Sequence, residues 1–405
     1  MNDIGAEIDM NSVTNQLSRC CDRFICVMSE ELRIVATDAG ILLIIALAPI
    51  IYTVIYSMAY GPNVVNLVPI GVVDDDHTEH SRQLIDYIDS GDAVSVVVEP
   101  ISMGYARQMI YDDDIAGVVY IPNGYENKML AGEQADVALI VEGSHLLLYK
   151  RVMEHIATVA ATVGAQVEAA DIVARGGDAL TAREVAAPVT LDASNVYNPQ
   201  LGYATFVMPS IFIVIIQQTL LIGVGMVASR RRRQYDTSNT LGTAILMTLA
   251  KLSAYMVIYA STATFVLGIL WGIFDLPFAG HVLDVVVLLT LYVGASVLLA
   301  LALSSLFTRR EAPLMLLLWS SVPILLLAGV SYPREAFPEW LYIIGRIFPS
   351  SSAVDAFVRV NTMGAGIEYI YGEITVLLIL IFAYGVLAVL AERRQMLDKK
   401  DKILI

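Results

Sequence analysis

Six apolar runs decide most of what this chain can become. They cover residues 41–60, 204–228, 252–274, 282–307, 312–330 and 374–390. A bilayer core needs about 20 predominantly apolar residues per helix, and each run meets or approaches that length. Composition agrees: 57% of the 405 residues are hydrophobic and 16% are charged. The mean hydropathy is +0.65, which is not that of a soluble globular chain. The pattern predicts an α-helical integral membrane protein with six transmembrane helices. The first run is expected to stay in the mature protein. Some forty residues with many acids precede it, and it lacks a small-residue cleavage site.

Charge predicts sidedness. Basic residues near span ends mark the cytoplasmic side. Arg230, Arg231, Arg232 and Arg233 follow the second run, Arg309 and Arg310 the fourth, and Arg393, Arg394, Lys399, Lys400 and Lys402 the sixth. The short connection near 276–281 has no basic residue. Six spans put both termini on the basic side. The expected arrangement is a cytoplasmic amphipathic helix over 1–40, a first span over 41–60, and spans two to six over 201–391. A cytoplasmic tail follows over 392–405. Arg19, Arg23 and Arg33 precede the first span among more numerous acids, which count little in this rule.

Residues 61–200 carry 21 Asp and Glu against 7 Lys and Arg, nearly all of the chain's net charge of −15. Their pattern alternates strand and helix signals. "NLVPIGVV", "AVSVVVEP", "IAGVVYIP" and "ADVALIVEG" read as strands, the third stopped by Pro122. "HSRQLIDYIDS" puts Leu84, Ile85 and Ile88 on one helical face, and "MGYARQMIYDDD" reads as a second helix. A long helix follows from "LLLYKRVMEH" and ends at Gly176 and Gly177. "APVTLDASNVYNP" returns extended to the membrane. The prediction is an α/β domain inserted between spans one and two, on the extracytoplasmic side.

Within that domain, "GVVDDDHTEH" at 71–80 crowds four acids and two histidines into ten positions. A metal site would need these neighbours to converge on one point. The stretch reads instead as a strand end running into a helix. Thr78 is the expected N-cap, with Asp74, Asp75, Asp76 and Glu79 near the helix's positive end. The three cysteines, Cys20, Cys21 and Cys26, all precede the first span, so no disulfide is expected in the domain.

The spans lack ionisable groups near their centres. Lys251 and Asp284 sit at span ends. Ion-driven carriers keep charges inside the membrane for function, so this pattern counts against that class. Gln217 and Gln218 are the adjacent amides within a span, candidates for a translocation path or for a helix–helix hydrogen bond. No G-x-x-x-x-G-K-[ST], G-x-S-x-G, H-E-x-x-H or C-x-x-C occurs. The chain is therefore not expected to be an enzyme or to bind a cofactor or metal itself. After the fifth run, "AGVSYPREAFPEWLYIIGRIFPSSSAVDAFVRV" is too broken by Pro333, Pro338 and Pro349 to span, and too apolar to float free. Short re-entrant helices over 334–360, at or dipping into the outer face, satisfy both constraints.

The order of these features resembles the ABC-2 type transporter permeases, in the subgroup with a large extracytoplasmic domain after the first span. The resemblance covers nearly the whole chain. It rests on Pro49 within the first span, on "VVDDD" followed by "SRQLIDYIDS", and on "DDDIAGVVYIPNGYENKMLAGEQADVALIVEGS". The most specific match is the small-Pro, Phe-Pro, Trp and Pro-before-serine order of "LAGVSYPREAFPEWLYIIGRIFPSSSAVDAFVRV".

The resemblance implies an exporter permease of the bacterial inner membrane. It would pair with a second copy or a paralogue and be driven by a separate ATP-binding cassette subunit that holds ATP and magnesium. It also implies a periplasmic adaptor and an outer-membrane channel where the cell has two membranes. Membrane lipid is expected around it, and no nucleic acid. The family's docking elements correspond to 15–37 and 230–249. Phe24, Met28 and Leu32 share a face of the first, with Glu30, Glu31 and Arg33 as its polar contacts. Arg231, Arg232, Arg233, Asp236, Gly242 and Thr243 are the candidates in the second. There the acids usual in relatives are reduced to Asp236, and Gly242-Thr243 lies later than expected. The four arginines also fit a plain lipid anchor. The competing class is a membrane-anchored sensor or envelope scaffold whose outer domain binds a ligand or partner.

Overall fold

The computed structural model describes residues 10–61, 64–186, 196–198, 202–230, 240–307 and 311–403. The chain divides into two compact units, Met1–Asn63 with Asn195–Ile405, and Val64–Ser194. Arg231, Arg232, Arg233, Asp236, Arg309 and Arg310, and most of "APVTLDASNVYNP", lie outside the described residues.

The first unit is helical. It begins with α1 (Met10–Thr37) and α2 (Ala39–Ala59). Asp38 accepts from the Gly40 and Ile41 amides and caps α2. A π-helical turn occupies Leu43–Leu47, just before Pro49. Proline has no N–H to give and crowds the carbonyl four residues back, and widening the preceding turn accommodates it. The remaining long helices are α8 (Tyr203–Arg230), α9 (Leu241–Ile273), α10 (Val282–Ser304), α11 (Glu311–Leu327) and α14 (Tyr371–Ile403). Between α11 and α14 lie two short ones, α12 (Glu339–Gly345) and α13 (Pro349–Asn361).

Helices α8 and α10 form the centre, and most of their lengths are buried, whereas α2 and α14 turn most of their apolar side chains outward. A helix that is apolar all round belongs in a core or in lipid, and here the two populations separate by position. Gly223 lets α2 approach α8: a Cβ there would lie 2.1 Å from the Ile45 side chain. The Phe212, Trp271 and Phe357 rings meet in the interior, with centroids 5.7 and 5.9 Å apart around Phe212.

The second unit holds a four-stranded sheet. Its strands are β1 (Val68–Asp74), β2 (Val94–Val98), β3 (Gly117–Ile121) and β4 (Ala138–Val141), in the order β2-β1-β3-β4. β1 is parallel to both neighbours, and β4 pairs antiparallel with β3. β1 is buried nearly throughout, the expected state of a central parallel strand covered on both faces. Helices α3 (Glu79–Asp89), α5 (Tyr125–Leu130) and α6 (Leu146–Ala174) belong to one apolar cluster with Val68, Ile70 and Val72. Helix α4 (Met103–Tyr111) covers the other face through Ala106, against Val73 and Val118. A short α7 (Ala179–Ala186), not anticipated from the sequence, buries Ala182.

Six helices among the described residues are long and apolar enough to cross a membrane, but they are not the expected six. α6 qualifies by length and composition, whereas the predicted fifth span corresponds to α11, with 17 residues. The surroundings of α6 place it in the α/β unit. Its Val152 and Ile156 are buried in the sheet's apolar cluster, and its Arg151 pairs with Asp92 at 3.2 Å. The helix predicted over 252–274 starts earlier, at Leu241. Thr240 caps it by accepting from the Thr243 amide at 3.2 Å.

Candidate functional site

"GVVDDDHTEH" is a capping network. Among the described residues no group of three His, Cys, Asp or Glu is arranged to hold a metal. Asp74 accepts from the Asp76 and His77 amides and from the Ser81 hydroxyl. Thr78 and Ser81 form a reciprocal capping box at the start of α3. Asp76 reaches across the fold and accepts from the amides of Gly124, Tyr125 and Glu126 at 2.6, 3.1 and 3.0 Å, closing the N-terminus of α5. Burial works against the charge of Asp76. The hydrogen bonds from Glu126, Thr78, Gly124 and Tyr125 outweigh it and hold the carboxyl below its ordinary value. His80 meets Glu126 at 2.5 Å.

The described part of the second element expected to dock an ATPase, 240–249, lies against the first. Val27, Glu31 and Val35 recur every four residues on the buried face of α1. Phe24 and Met28 pack with Ala244, Met247 and Ala250 of α9 and with Met396 of α14. Leu32 is partly buried. Glu31 is turned inward, 2% exposed, and accepts from the Tyr255 hydroxyl at 3.3 Å. Arg33 is exposed and Glu30 partly so. Gly242 and Thr243 occupy the first turn of α9, where Gly242 faces open space. All three cysteines are exposed. Cys20 and Cys21 line an apolar groove with Ile25 and Leu249.

Charge does enter the helical unit. Lys251 lies ten residues inside α9, 6% exposed, and its Nζ meets Glu392 Oε2 of α14 at 2.5 Å. The sequence placed Lys251 at a span end. The early start of α9 instead puts it within a long helix, and the pair is 141 residues apart in the chain. A second buried cation, Arg334, is 4% exposed. It donates to the Ser351 carbonyl at 2.7 Å and pairs with Asp355.

Gln217 lies near the middle of the 28-residue α8, about 20 Å from either end at 1.5 Å per residue. Its side-chain oxygen accepts from the Ser350 amide at 2.8 Å. Ser350 belongs to the first turn of α13, whose cap position, Phe348, supplies no side-chain acceptor. Gln217 therefore fills a cap that the local sequence lacks. Neither polar atom of Gln218 has a partner among the described residues. Arg334 holds the same helix through Ser351 in its first turn and Asp355 in its second. The Tyr384 hydroxyl of α14 donates to the Ile347 carbonyl in the preceding turn. The broken segment after α11 thus holds two short helices, with the start of α13 tied to α8 and the turn before it tied to α14.

The family described as "ABC-2 family transporter protein" matches residues 39–390. The chain is 23% identical over 376 residues to the "Probable multidrug ABC transporter permease YbhR" of Escherichia coli strain K12, covering 92% of this chain and 98% of that one. The protein of the same description from Escherichia coli O157:H7 matches equally. With a match that takes in α2, the whole second unit and α8 to α13, the chain belongs to the ABC-2 family of transporter proteins, as a membrane permease.

Proposed function

We propose that this chain is the permease subunit of an ATP-driven exporter. It would form the membrane path and be driven by a separate ATP-binding cassette subunit carrying ATP and magnesium. The observation that carries the proposal is the extent of the family match, 39–390, together with an end-to-end relative described as an ABC transporter permease. Two permease chains, identical or paralogous, pair around the path. An adaptor and outer channel join where the cell has two membranes. The membrane is the bacterial inner one. Both termini are cytoplasmic, because basic residues cluster after α8 and on the last turns of α14. The acidic unit then lies outside.

In this arrangement α1 and the start of α9 face the ATPase. Their packing through Phe24, Met28, Ala244 and Met247 makes them one surface. Glu30, Arg33, Gly242 and Thr243, with Arg231, Arg232, Arg233 and Asp236, supply its polar contacts. Glu31 supports it from inside through Tyr255. Gln217, buried within the chain, would act on the path only indirectly, by fixing α13.

Co-purification with an ATP-binding cassette subunit encoded beside this chain tests the proposal. Stable complex formation is expected, weakened by the triple change Arg231→Ala, Arg232→Ala and Arg233→Ala. Failure of the intact chain to retain any such subunit would refute it, and an unaffected triple variant would remove those arginines from the contact.

A further inference from the structure

Helix α6 is longer than the sheet it covers. Its 29 residues extend about 44 Å at 1.5 Å per residue, whereas four strands spaced about 4.8 Å apart are far narrower. Val152, Ile156, Val159, Val163 and Val167 continue one apolar stripe along it. The first two are buried against the sheet's cluster, while Val159 and Val163 are only partly covered. Beneath the overhanging half lies a cleft of about 690 Å³, within the range of small-molecule sites. Its apolar floor includes Leu84, Ile88, Tyr125 and Met129.

The rim of this cleft is acidic. Glu133, Asp136, Glu168 and Asp171 line it against one lining cation, Arg175. Arg175 is already paired with Asp171 at 2.6 Å, and Lys128 stands 4.0 Å from Asp136. Glu133 and Glu168 are exposed and have no ion pair among the described residues. A cleft with an apolar floor and uncompensated carboxylates on its rim suits a molecule with an apolar body and a positive charge.

We propose that this cleft is a binding site for small lipophilic cations. A basic peptide would share the charge. However, a stable protein contact takes roughly 800 Å² per partner, and a cleft of this size fits a compact molecule better. The proposal goes beyond the transport reading. The cleft lies wholly within the α/β unit, and its binding is measured without any ATPase, so either can fail alone.

The test uses the full chain in lipid nanodiscs, with rhodamine 6G as the cation and fluorescence anisotropy as the readout, corrected for partition into empty nanodiscs. Saturable binding is expected. The pair Glu133→Gln and Glu168→Gln removes two partly screened attractions and should weaken it about three- to tenfold. Val159→Trp, which projects an indole into the cleft, should weaken it as well. Absence of saturable binding, or wild-type affinity in the two-glutamate variant, overturns the proposal. So does the finding that a basic amphipathic peptide binds and is lost in that variant while the dye never binds.

Discussion

The side-chain oxygen of Gln217, in the middle of α8, accepts the backbone N–H of Ser350 at the start of α13 across 133 residues of chain. One amide thereby ties a deeply buried helix of the unit to α13. Gln217→Leu leaves the Ser350 N–H without its acceptor, a loss of about 1–3 kcal/mol. Gln218→Leu removes two unpartnered polar atoms and should be neutral or stabilising. Thermal unfolding in lipid, with amide exchange at 349–352, separates the two. Equal effects from both substitutions would show that the Ser350 contact contributes nothing.

Lys251 and Glu392 hold α9 to α14. Removing one partner from a buried pair costs about 3–5 kcal/mol, because the other charge is left uncompensated, and replacing both by apolar residues recovers much of the loss. Lys251→Met should therefore lower the unfolding midpoint strongly, and Lys251→Met with Glu392→Leu should restore most of it. A double-mutant cycle that comes out additive would contradict the pairing.

Gly329 has φ +82°, and a Cβ there would lie 2.6 Å from Cγ of Arg334. The backbone alone makes Gly329→Ala unfavourable by roughly 1–2 kcal/mol, and the clash displaces Arg334 from Ser351 and Asp355. The expected result is a less stable protein with faster amide exchange in α13. An unchanged exchange profile there would mean that Arg334 does not hold α13.

Asp76 gives the α/β unit an acid-sensitive joint. Its folded carboxyl titrates below its unfolded value, so its contribution is fully present above about pH 3.9. That contribution fades as pH falls through the folded value. Glu142 is held down to about 2 by hydrogen bonds from Ser144 and His145 and fades in the same window. The Asp76 part is therefore read as the difference between wild type and Asp76→Asn. The wild type should be more stable near pH 6, with the difference shrinking as the pH falls below about 3.9. A difference that does not vary with pH would deny the carboxylate its capping role.

Local signals carried far in this chain. Thr78 as the cap of α3, Pro122 after β3, and Gly176 and Gly177 after α6 could be read because each acts on its immediate neighbours. The contacts that define the candidate sites could not. Asp76 finds its amides near 125, Gln217 finds Ser350, and Lys251 finds Glu392, and no short pattern encodes those distances. Glu31 looked like a surface acid beside Glu30. Only the four-residue rhythm of Val27 and Val35 hinted that it points inward. α6, long and apolar enough to span, is nonetheless legible as a helix of the α/β domain from its place after the four strands. Hydropathy measures composition, whereas Val152 and Ile156 are claimed by a sheet formed from residues 68–141.

The central claim is that this permease is coupled to ATP hydrolysis on another subunit. The direct measurement is the hydrolysis rate of the neighbouring ATP-binding cassette subunit, alone and reconstituted with this chain in proteoliposomes. The account predicts that the complex forms and that its rate differs from that of the free subunit. Lys251→Met, which loosens α9 beside the proposed docking surface, is expected to alter that difference. A rate identical with and without this chain, under conditions where the ATPase is active, would contradict the account.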